Sequence, residues 1–236
     1  MCPSIQDNQW QFLIEATKWR YRSLGRSVAG FVQGKLKYDP VYRQLMGLPD
    51  WGRDGLVIDL GCGDGILLSA LSSARSLGLL EGGKAVKQSL QGVELNAGSA
   101  ARAAQALGAD AKLAAGDVRF VELPACRIAL LIDVLYHLTP AEQDALLARL
   151  ASALEPGGAL LIREADAGAS WRYGLTWLAE GFMQLSRGNI RGKRHYRSAE
   201  AWKSELEALG LVVETRDMSE GTPFANVLFI ARKPVS

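Results

Sequence analysis

One short stretch of the chain combines acidic residues with closely spaced glycines. Asp59 is followed by Gly61, Gly63 and Gly65, and Asp64 lies inside the same stretch. Glycines allow the backbone to turn tightly and to approach a ligand with no side chain in the way. A helix that starts beyond the turn offers free amide donors. The stretch therefore predicts a site for a nucleotide-like ligand.

The spacing of these glycines distinguishes between two kinds of nucleotide. Dinucleotide enzymes use Gly-x-Gly-x-x-Gly, with the pyrophosphate on the helix N-terminus. Here the third glycine, Gly65, comes one residue early. The negative charges of Asp59 and Asp64 oppose a pyrophosphate and suit a ligand with a cationic amino-acid end and a sulfonium. A nicotinamide oxidoreductase is therefore the less favoured alternative.

Strands alternate with helices around this turn. The run Leu56–Leu60 is typical of a buried parallel strand, and Ile66–Leu77 is predicted to be a helix. Such alternation predicts right-handed βαβ units and a parallel sheet covered on both faces. The further predicted strands are Gly92–Leu95, Ala111–Ala115, Ile128–Asp133 and Ala159–Arg163; the further helices are Ala97–Leu107, one from Thr139 to Pro156–Gly157–Gly158, and Glu200–Leu209.

The two ends of the chain differ from this alternating core. Residues 8–46 are predicted to be helical, which makes 1–50 an N-terminal cap on a core of residues 55–164 and 198–236. The last predicted strands, Leu211–Met218 and Phe224–Ala231, are joined by five residues, which cannot hold a parallel crossover, so they pair antiparallel. Residues 79–91 are expected to be an insertion, and 118–127 leave room only for a reduced crossover helix.

Five motifs in order resemble the class I S-adenosylmethionine methyltransferases. They are the glycine turn after Asp59, Glu94 after strand two, Asp117 after strand three, the strand-four segment through Asp133, and the Pro156–Gly157–Gly158 end before strand five. The resemblance implies an α/β Rossmann-like, seven-stranded, mostly parallel sheet of order 3-2-1-4-5-7-6 with its last strand antiparallel. It also implies S-adenosylmethionine as cofactor, with Glu94 accepting from the ribose hydroxyls and Asp117 meeting the adenine amino group. The residues expected to bind the cofactor are Asp59, Gly61, Cys62, Gly63, Gly65, Glu94, Leu95, Asp117, Val118, Asp133 and Leu135.

Three residues are candidates for catalysis. His137 follows strand four, where acceptor sites lie in this family, and a histidine there could take a proton from an acceptor. His195 is the only other histidine, and Glu164 ends strand five. The alternative for His137 is a packed residue held by backbone bonds. A base is needed only if the acceptor keeps its proton, since the sulfonium already makes the methyl group electrophilic.

An insertion at residues 165–197 is predicted to form a helical lid over the acceptor. Trp171, Leu175, Leu178, Phe182 and Leu185 share one helical face in it, although such a stripe could equally be additional core. A lid of this kind favours a small apolar or aromatic acceptor over a nucleic acid.

Bulk composition restricts the remaining functions. The net charge is +2, and the three cysteines are too few and too far apart for a disulfide framework or a metal cluster. We therefore expect no metal site and a reducing, cytoplasmic location. Neither a signal peptide nor a membrane span is expected, and the oligomeric state is open. A non-catalytic module that binds S-adenosylmethionine or a carrier protein stays an alternative to an enzyme.

Local charge is less even than the total. The segment from Thr17 to Gln44 contains seven basic residues and one acidic residue. The segment from Gly181 to Ala199 contains five basic residues and no acidic residue. Such stretches are either basic docking surfaces or solvated faces balanced by acids elsewhere. The segments Lys35–Tyr42 and Arg194–Ser198 resemble, more weakly, methyltransferases of bacterial aryl-polyene and xanthomonadin-type pigment clusters. That resemblance implies an aryl-acyl acceptor on an acidic acyl carrier protein.

Overall fold

The computed structural model describes residues 5–80, 86–168, 194–219 and 225–235. Four short 3₁₀ turns accompany the regular elements within these ranges. The helices are α1 Asp7–Arg20, α2 Arg26–Tyr38, α3 Pro40–Met46, α4 Ile66–Leu77, α5 Ala97–Leu107, α6 Pro140–Ala153 and α7 Ala199–Ala208. The strands are β1 Gly55–Leu60, β2 Gln88–Glu94, β3 Ala111–Ala115, β4 Cys126–Ile132, β5 Leu154–Ala165, β6 Val212–Asp217 and β7 Asn226–Arg232.

The seven strands form one sheet of order β3-β2-β1-β4-β5-β7-β6, which confirms the predicted Rossmann-like fold. By its contacts the chain divides into two compact units, residues 1–130 and 131–236. In the first unit β1 pairs in parallel with β2 and with the start of β4, and β2 pairs in parallel with β3. The carboxyl ends of β1, β2 and β3 therefore lie along one edge, where ligands bind in open α/β sheets.

The second unit contains the predicted antiparallel pairings. β7 pairs antiparallel with both β5 and β6, so the short-connection argument is confirmed. Helices α6 and α7 begin at the predicted caps, where the hydroxyls of Thr139 and Ser198 accept from the amides of Glu142 and Ala201.

Three predicted boundaries were wrong by more than two residues, namely the start of β2, the end of α6 and the start of β5. Strand β2 starts at Gln88 rather than Gly92, because its polar first half pairs with β1 from Gly55 onward. Helix α6 ends at Ala153, and Pro156–Gly157–Gly158 lies inside β5. Gly157 and Gly158 exchange backbone hydrogen bonds with Lys233 beyond β7, which draws this segment into the sheet. Between β3 and β4 the described backbone forms a turn and no helix, so the expected reduced crossover helix is absent there.

The N-terminal residues are helical, as predicted, and pack within the first unit. The buried face of α1 consists of Trp10, Leu13, Ile14 and Thr17. Helix α1 contacts both α2 and α4, and α2 buries Ala29, Val32 and Leu36. Because α4 begins directly after the glycine turn, α1 supports the element that carries the turn.

Candidate active site

The glycine turn is held at the tip of the neighbouring strand. The amides of Gly61 and Cys62 both donate to the carbonyl of Val93, at 2.7 and 3.1 Å. Gly61, Gly63 and Gly65 have φ angles of 78°, 56° and 73°. Residues with a side chain rarely adopt this left-handed region. The glycines are therefore required by the backbone path, and nothing lies within 4 Å of where a Cβ on Gly63 would be.

Glu94 is joined to this turn by its side chain. Its Oε2 accepts from the Gly63 amide at 2.9 Å, and its Oε1 accepts from the Asn96 amide at 2.8 Å. The Gly116 amide donates to the Glu94 carbonyl at 2.9 Å, which brings the end of β3 alongside. Each carboxylate oxygen has a second lone pair, so the carboxylate can still accept from a ligand.

Asp59 lies beneath the turn and is 3% exposed. Burial, and then the charge of Glu94, raises the pKa of the Asp59 carboxyl to about 7. Burial also raises the pKa of the Cys62 thiol, with further contributions from Asp59 and Glu94. A buried carboxyl group whose ionisation is disfavoured by a neighbouring carboxylate belongs to a site that a cationic ligand would stabilise.

Gly65 has a second reason to be glycine. A Cβ on Gly65 would lie 2.8 Å from the Cβ of Ala103 and 3.1 Å from Leu107 Cδ1, so α4 and α5 are in close contact here. The glycine turn is therefore fixed by helix packing as well as by hydrogen bonds.

Replacing Gly65 with alanine is expected to lower the free energy of unfolding by about 3 kcal/mol. The left-handed backbone costs an alanine about 1 kcal/mol, and overpacking against Ala103 adds about 2 kcal/mol. Gly78→Ala is the matched control, because Gly78 has a φ of 70° and nothing within 4 Å of an added Cβ. Urea unfolding of both variants separates the two contributions, and equal losses would show that the contact with Ala103 costs nothing.

The support of the turn by residues outside the motif was missed from sequence. The Tyr21 hydroxyl, at the end of α1, donates to the carbonyl of Asp64 at 2.8 Å and lies 2.9 Å from Ser69 Oγ. The Asp64 carboxylate accepts from Arg102 Nε and Nη2 at 3.0 and 2.7 Å. Arg20 donates to Ser72 and Ser73 of α4. No local pattern marks these long-range partners, because each lies on an ordinary helix.

The other predicted cofactor residues in this unit follow β2 and β3. Leu95 is 70% exposed after Glu94, whereas Val118 is buried. Asp117 accepts from Arg119 Nε at 3.0 Å, and this hydrogen bond is the main cause of the lowered pKa of Asp117. Asp117 is thus ionised and oriented by a neighbour two residues away.

The second unit contains the predicted residues at the ends of β4 and β5. Asp133 has a φ of 60° and is the one non-glycine residue with positive φ among the described residues. Its amide donates to the Arg163 carbonyl at 3.0 Å, and its carboxylate pairs with the Arg163 guanidinium, which is 5% exposed. A strained backbone conformation that is held in place by an ion pair to a buried guanidinium is typical of functional sites.

Glu164 binds the segment that follows Asp133. It is 1% exposed, and its Oε1 accepts from the amides of Val134 and Leu135 at 3.1 and 2.6 Å. The structure therefore gives Glu164 a positioning contact with the backbone after β4, and Leu135 is fully buried there.

The two histidines have different surroundings. His137 is exposed at the end of a 3₁₀ turn, with its ring 4.1 Å from that of Tyr136. The His195 amide donates to the Tyr136 carbonyl at 2.9 Å, and Tyr136 stacks on Tyr196 at 5.2 Å. The His137 amide also donates to the Val134 carbonyl at 3.1 Å, so both histidines are held by backbone bonds and flank one tyrosine pair.

Gln143, on α6, connects these segments and was not predicted. It is fully buried, and its Nε2 donates to the carbonyls of Leu135, Leu138 and His195 at 2.9, 3.2 and 2.8 Å. A signal was present in the sequence, because Gln143 shares the helical spacing of the buried Leu146, Leu147 and Leu150.

Gln143→Leu is expected to lower the free energy of unfolding by about 2 kcal/mol, because buried carbonyls lose a donor. The matched control is Gln105→Leu on α5, where the amide makes one exposed hydrogen bond to Ser23 at 3.3 Å. That control is expected to change stability by less than about 0.5 kcal/mol. Chemical denaturation measures both, and a Gln143→Leu protein as stable as the control would refute the role.

Acids balance part of the first basic stretch. Four of its seven cations pair with acids, and three of these four acids lie outside the stretch. The pairs are Lys18–Glu15, Arg20–Asp110, Lys35–Asp39 and Arg43–Asp7, at 3.4, 2.7, 3.3 and 2.5 Å.

Some predictions concern residues 169–193, and others concern a membrane span or a metal site. The aromatic stripe of the predicted lid, Trp171–Leu185, lies outside the described residues, as do Arg187, Arg191 and Lys193. None of the described helices has both the length and the apolar composition of a membrane span. Across the same ranges, no group of three or more potential ligands could hold a metal ion.

The strand order, the glycine turn after β1 and the acid at the end of β2 together define a class I methyltransferase fold. The family model described as a methyltransferase domain matches residues 38–216, more than half of the chain, and the protein belongs to that family.

Solved structures with similar folds agree with this class. An O-methyltransferase family protein from Burkholderia thailandensis has a TM-score of 0.64 and 20% identity over 99% of this chain and 64% of its own. Human N-acetylserotonin methyltransferase, in complex with S-adenosylmethionine, has a TM-score of 0.60 and 15% identity over 97% of this chain and 57% of its own. Magnesium protoporphyrin IX methyltransferase from Synechocystis, with bound S-adenosylhomocysteine, has a TM-score of 0.61 and 18% identity over 91% of this chain and 93% of its own. The chain thus spans less than two thirds of the first two relatives, and no curated protein matches it significantly.

Proposed function

We propose that the protein transfers the methyl group of S-adenosylmethionine to a small apolar or aromatic acceptor. The observation that carries the proposal is the junction of Glu94 with the glycine turn, where Oε2 accepts from the Gly63 amide at 2.9 Å. A carboxylate at that place, beside a turn with open space above Gly63, suits an adenosyl ligand that presents hydroxyls and a cation.

The residues of the first unit fit such a cofactor. Glu94 would accept from the ribose hydroxyls, and Asp117 and Val118 would meet the adenine. The charge of Glu94 contributes to the raised pKa of Asp59, and a sulfonium and an ammonium group would offset this repulsion. A pyrophosphate would increase the same repulsion, which disfavours the nicotinamide alternative. When bound, the cofactor supplies an electrophilic methyl group.

The chain's own contribution to the reaction is alignment and exclusion of water. Leu135, Tyr136 and His137 follow β4, where the acceptor would bind. Glu164 fixes the amides of Val134 and Leu135. His137, exposed at the end of its 3₁₀ turn, and His195 would take a proton from an acceptor that still carries one.

A narrower proposal is an aryl-acyl acceptor presented by an acyl carrier protein, as in aryl-polyene pigment biosynthesis. It is supported by the sequence segments Lys35–Tyr42 and Arg194–Ser198 and by the second basic stretch. The first basic stretch adds less, because four of its seven cations are paired with acids. Replacing Arg191, Lys193 and Arg194 with glutamate should reduce turnover of a carrier-bound acceptor and spare a free one. Unchanged turnover of both would reject the carrier.

Two measurements test the proposed function. Calorimetric titration with S-adenosylhomocysteine and with NADH is expected to show binding of the first alone. Methyl transfer from labelled S-adenosylmethionine to a panel of phenols and aromatic acids should then give a labelled product. Binding without transfer to any acceptor would favour the non-catalytic module, and no binding of S-adenosylhomocysteine would overturn the proposal.

A further inference from the structure

Four exposed aromatic side chains lie on the outward faces of the first two helices. Phe12 and Trp19 on α1 are 71% and 64% exposed, and Phe31 and Tyr38 on α2 are 39% and 70% exposed. In each helix the two residues are seven apart and therefore share a face. That face is opposite the buried residues of α1 and α2.

The two helices that carry these side chains are neighbours. Helices α1 and α2 pack against each other, and Gln33 of α2 donates to Glu15 of α1 at 2.7 Å. Apart from Phe120, no other phenylalanine, tyrosine or tryptophan of the described residues is comparably exposed. We call Phe12, Trp19, Phe31 and Tyr38 the aromatic face.

Cations accompany the aromatic face. The Arg22 guanidinium lies 4.2 Å from the centre of the Trp19 ring, and the Lys37 ammonium lies 5.1 Å from that of Tyr38. Arg26 is exposed at the start of α2. The structure shows no ion pair between these three cations and an acid of the described residues, in contrast to Lys18, Arg20, Lys35 and Arg43. The aromatic face is therefore bordered by net positive charge.

We infer that the aromatic face binds the surface of an anionic lipid bilayer. Tryptophan, tyrosine and phenylalanine flanked by lysine and arginine are the side chains that favour the interface between headgroups and acyl chains. Each cation near an anionic surface contributes about 1 kcal/mol, and salt screens that contribution. An acidic protein would satisfy the cations but not the four rings. A second copy of the face would oppose cation to cation. The inference does not depend on the proposed function, because it requires neither cofactor nor acceptor.

Vesicle sedimentation of the full chain tests the inference. Binding is expected to vesicles of phosphatidylcholine with phosphatidylserine, to fall with added salt, and to be at least tenfold weaker on phosphatidylcholine alone. Because about 1 kcal/mol corresponds to about a fivefold change in partition, Lys37→Glu is expected to lower binding to anionic vesicles at least fivefold. Phe12→Ser with Trp19→Ser should abolish detectable binding.

Matched controls separate the face from general effects. Leu77→Ser removes an exposed apolar side chain, and Lys112→Glu reverses an exposed cation, both on the same unit and away from the aromatic face. Both should bind vesicles like the original protein. Equal binding by the aromatic-face variants, or no binding by the original protein, would overturn the inference. Two further results would overturn the inference: a dimer in sedimentation velocity that is lost when Phe12 and Trp19 are replaced, or binding of an acyl carrier protein that is lost in the same variant.

Discussion

Glu94→Ala is expected to weaken S-adenosylhomocysteine binding about 1000-fold. The carboxylate would accept from two ribose hydroxyls, each such charge-assisted bond being worth about 2 kcal/mol, and about 1.4 kcal/mol corresponds to tenfold in affinity. The variant also loses the acceptor of the Gly63 and Asn96 amides, so the glycine turn is less well fixed. Isothermal titration calorimetry measures the loss.

The control for Glu94 is Glu122→Ala, which removes an exposed carboxylate from the same unit. It should change affinity less than about twofold, since it touches nothing in the turn. Far-ultraviolet circular dichroism and thermal unfolding of both variants show whether the fold is retained. A folded Glu94→Ala protein that binds S-adenosylhomocysteine like the original would remove the main support for the proposed cofactor.

Asp59→Asn is expected to stabilise the protein without ligand at pH 8 and to leave its stability at pH 4 nearly unchanged. The pKa of Asp59 is about 7 in the folded state, against an ordinary value of 3.8. Between these values the unfolded chain loses the proton first, so the folded state binds more protons and stability falls as pH rises. With about 1.4 kcal/mol per pH unit, the full difference at pH 8 is about 4 kcal/mol.

Asp110→Asn provides a control of opposite sign. Hydrogen bonds from Ser72, then from Arg20, lower the pKa of Asp110, so its stabilising effect is present near neutral pH and is lost on acidification. Urea unfolding from pH 4 to 8 should therefore show Asp110→Asn destabilised near pH 7. If Asp59→Asn and the original protein gave parallel stability curves over this range, Asp59 would not retain its proton in the folded state.

The fold could be predicted largely from local pattern. Helices Ile66–Leu77 and Ala97–Leu107 and strand Ala111–Ala115 have the predicted bounds, because capping residues, glycines and apolar runs coincide at their ends. The predicted strand and helix boundaries are wrong where hydrogen bonding between strands, rather than local sequence, determines the structure. Gln88 is polar, yet it extends β2 because β1 offers backbone partners, and Gly157 joins β5 through Lys233.

The site could be predicted only where its residues are close in sequence or belong to ordered motifs. The glycine turn and Glu94 are brought together as expected. Tyr21, Arg163 and Gln143 act through partners that are distant in sequence or that lie on another strand, and single-chain periodicity carries no information about such contacts. Gln143 illustrates what the sequence cannot predict. Its position on an apolar helical face marks it as unusual but does not identify the carbonyls to which it donates.

The contact between the Tyr21 hydroxyl and the Asp64 carbonyl has a consequence for shortened or tagged versions of the chain. A chain that begins at α2 would keep every residue of the nucleotide motif and yet lack the hydroxyl that anchors the loop, together with the Arg20 bonds to α4. If such a fragment bound the ligand weakly, the cause would be the loss of these hydrogen bonds, because the motif itself would be intact.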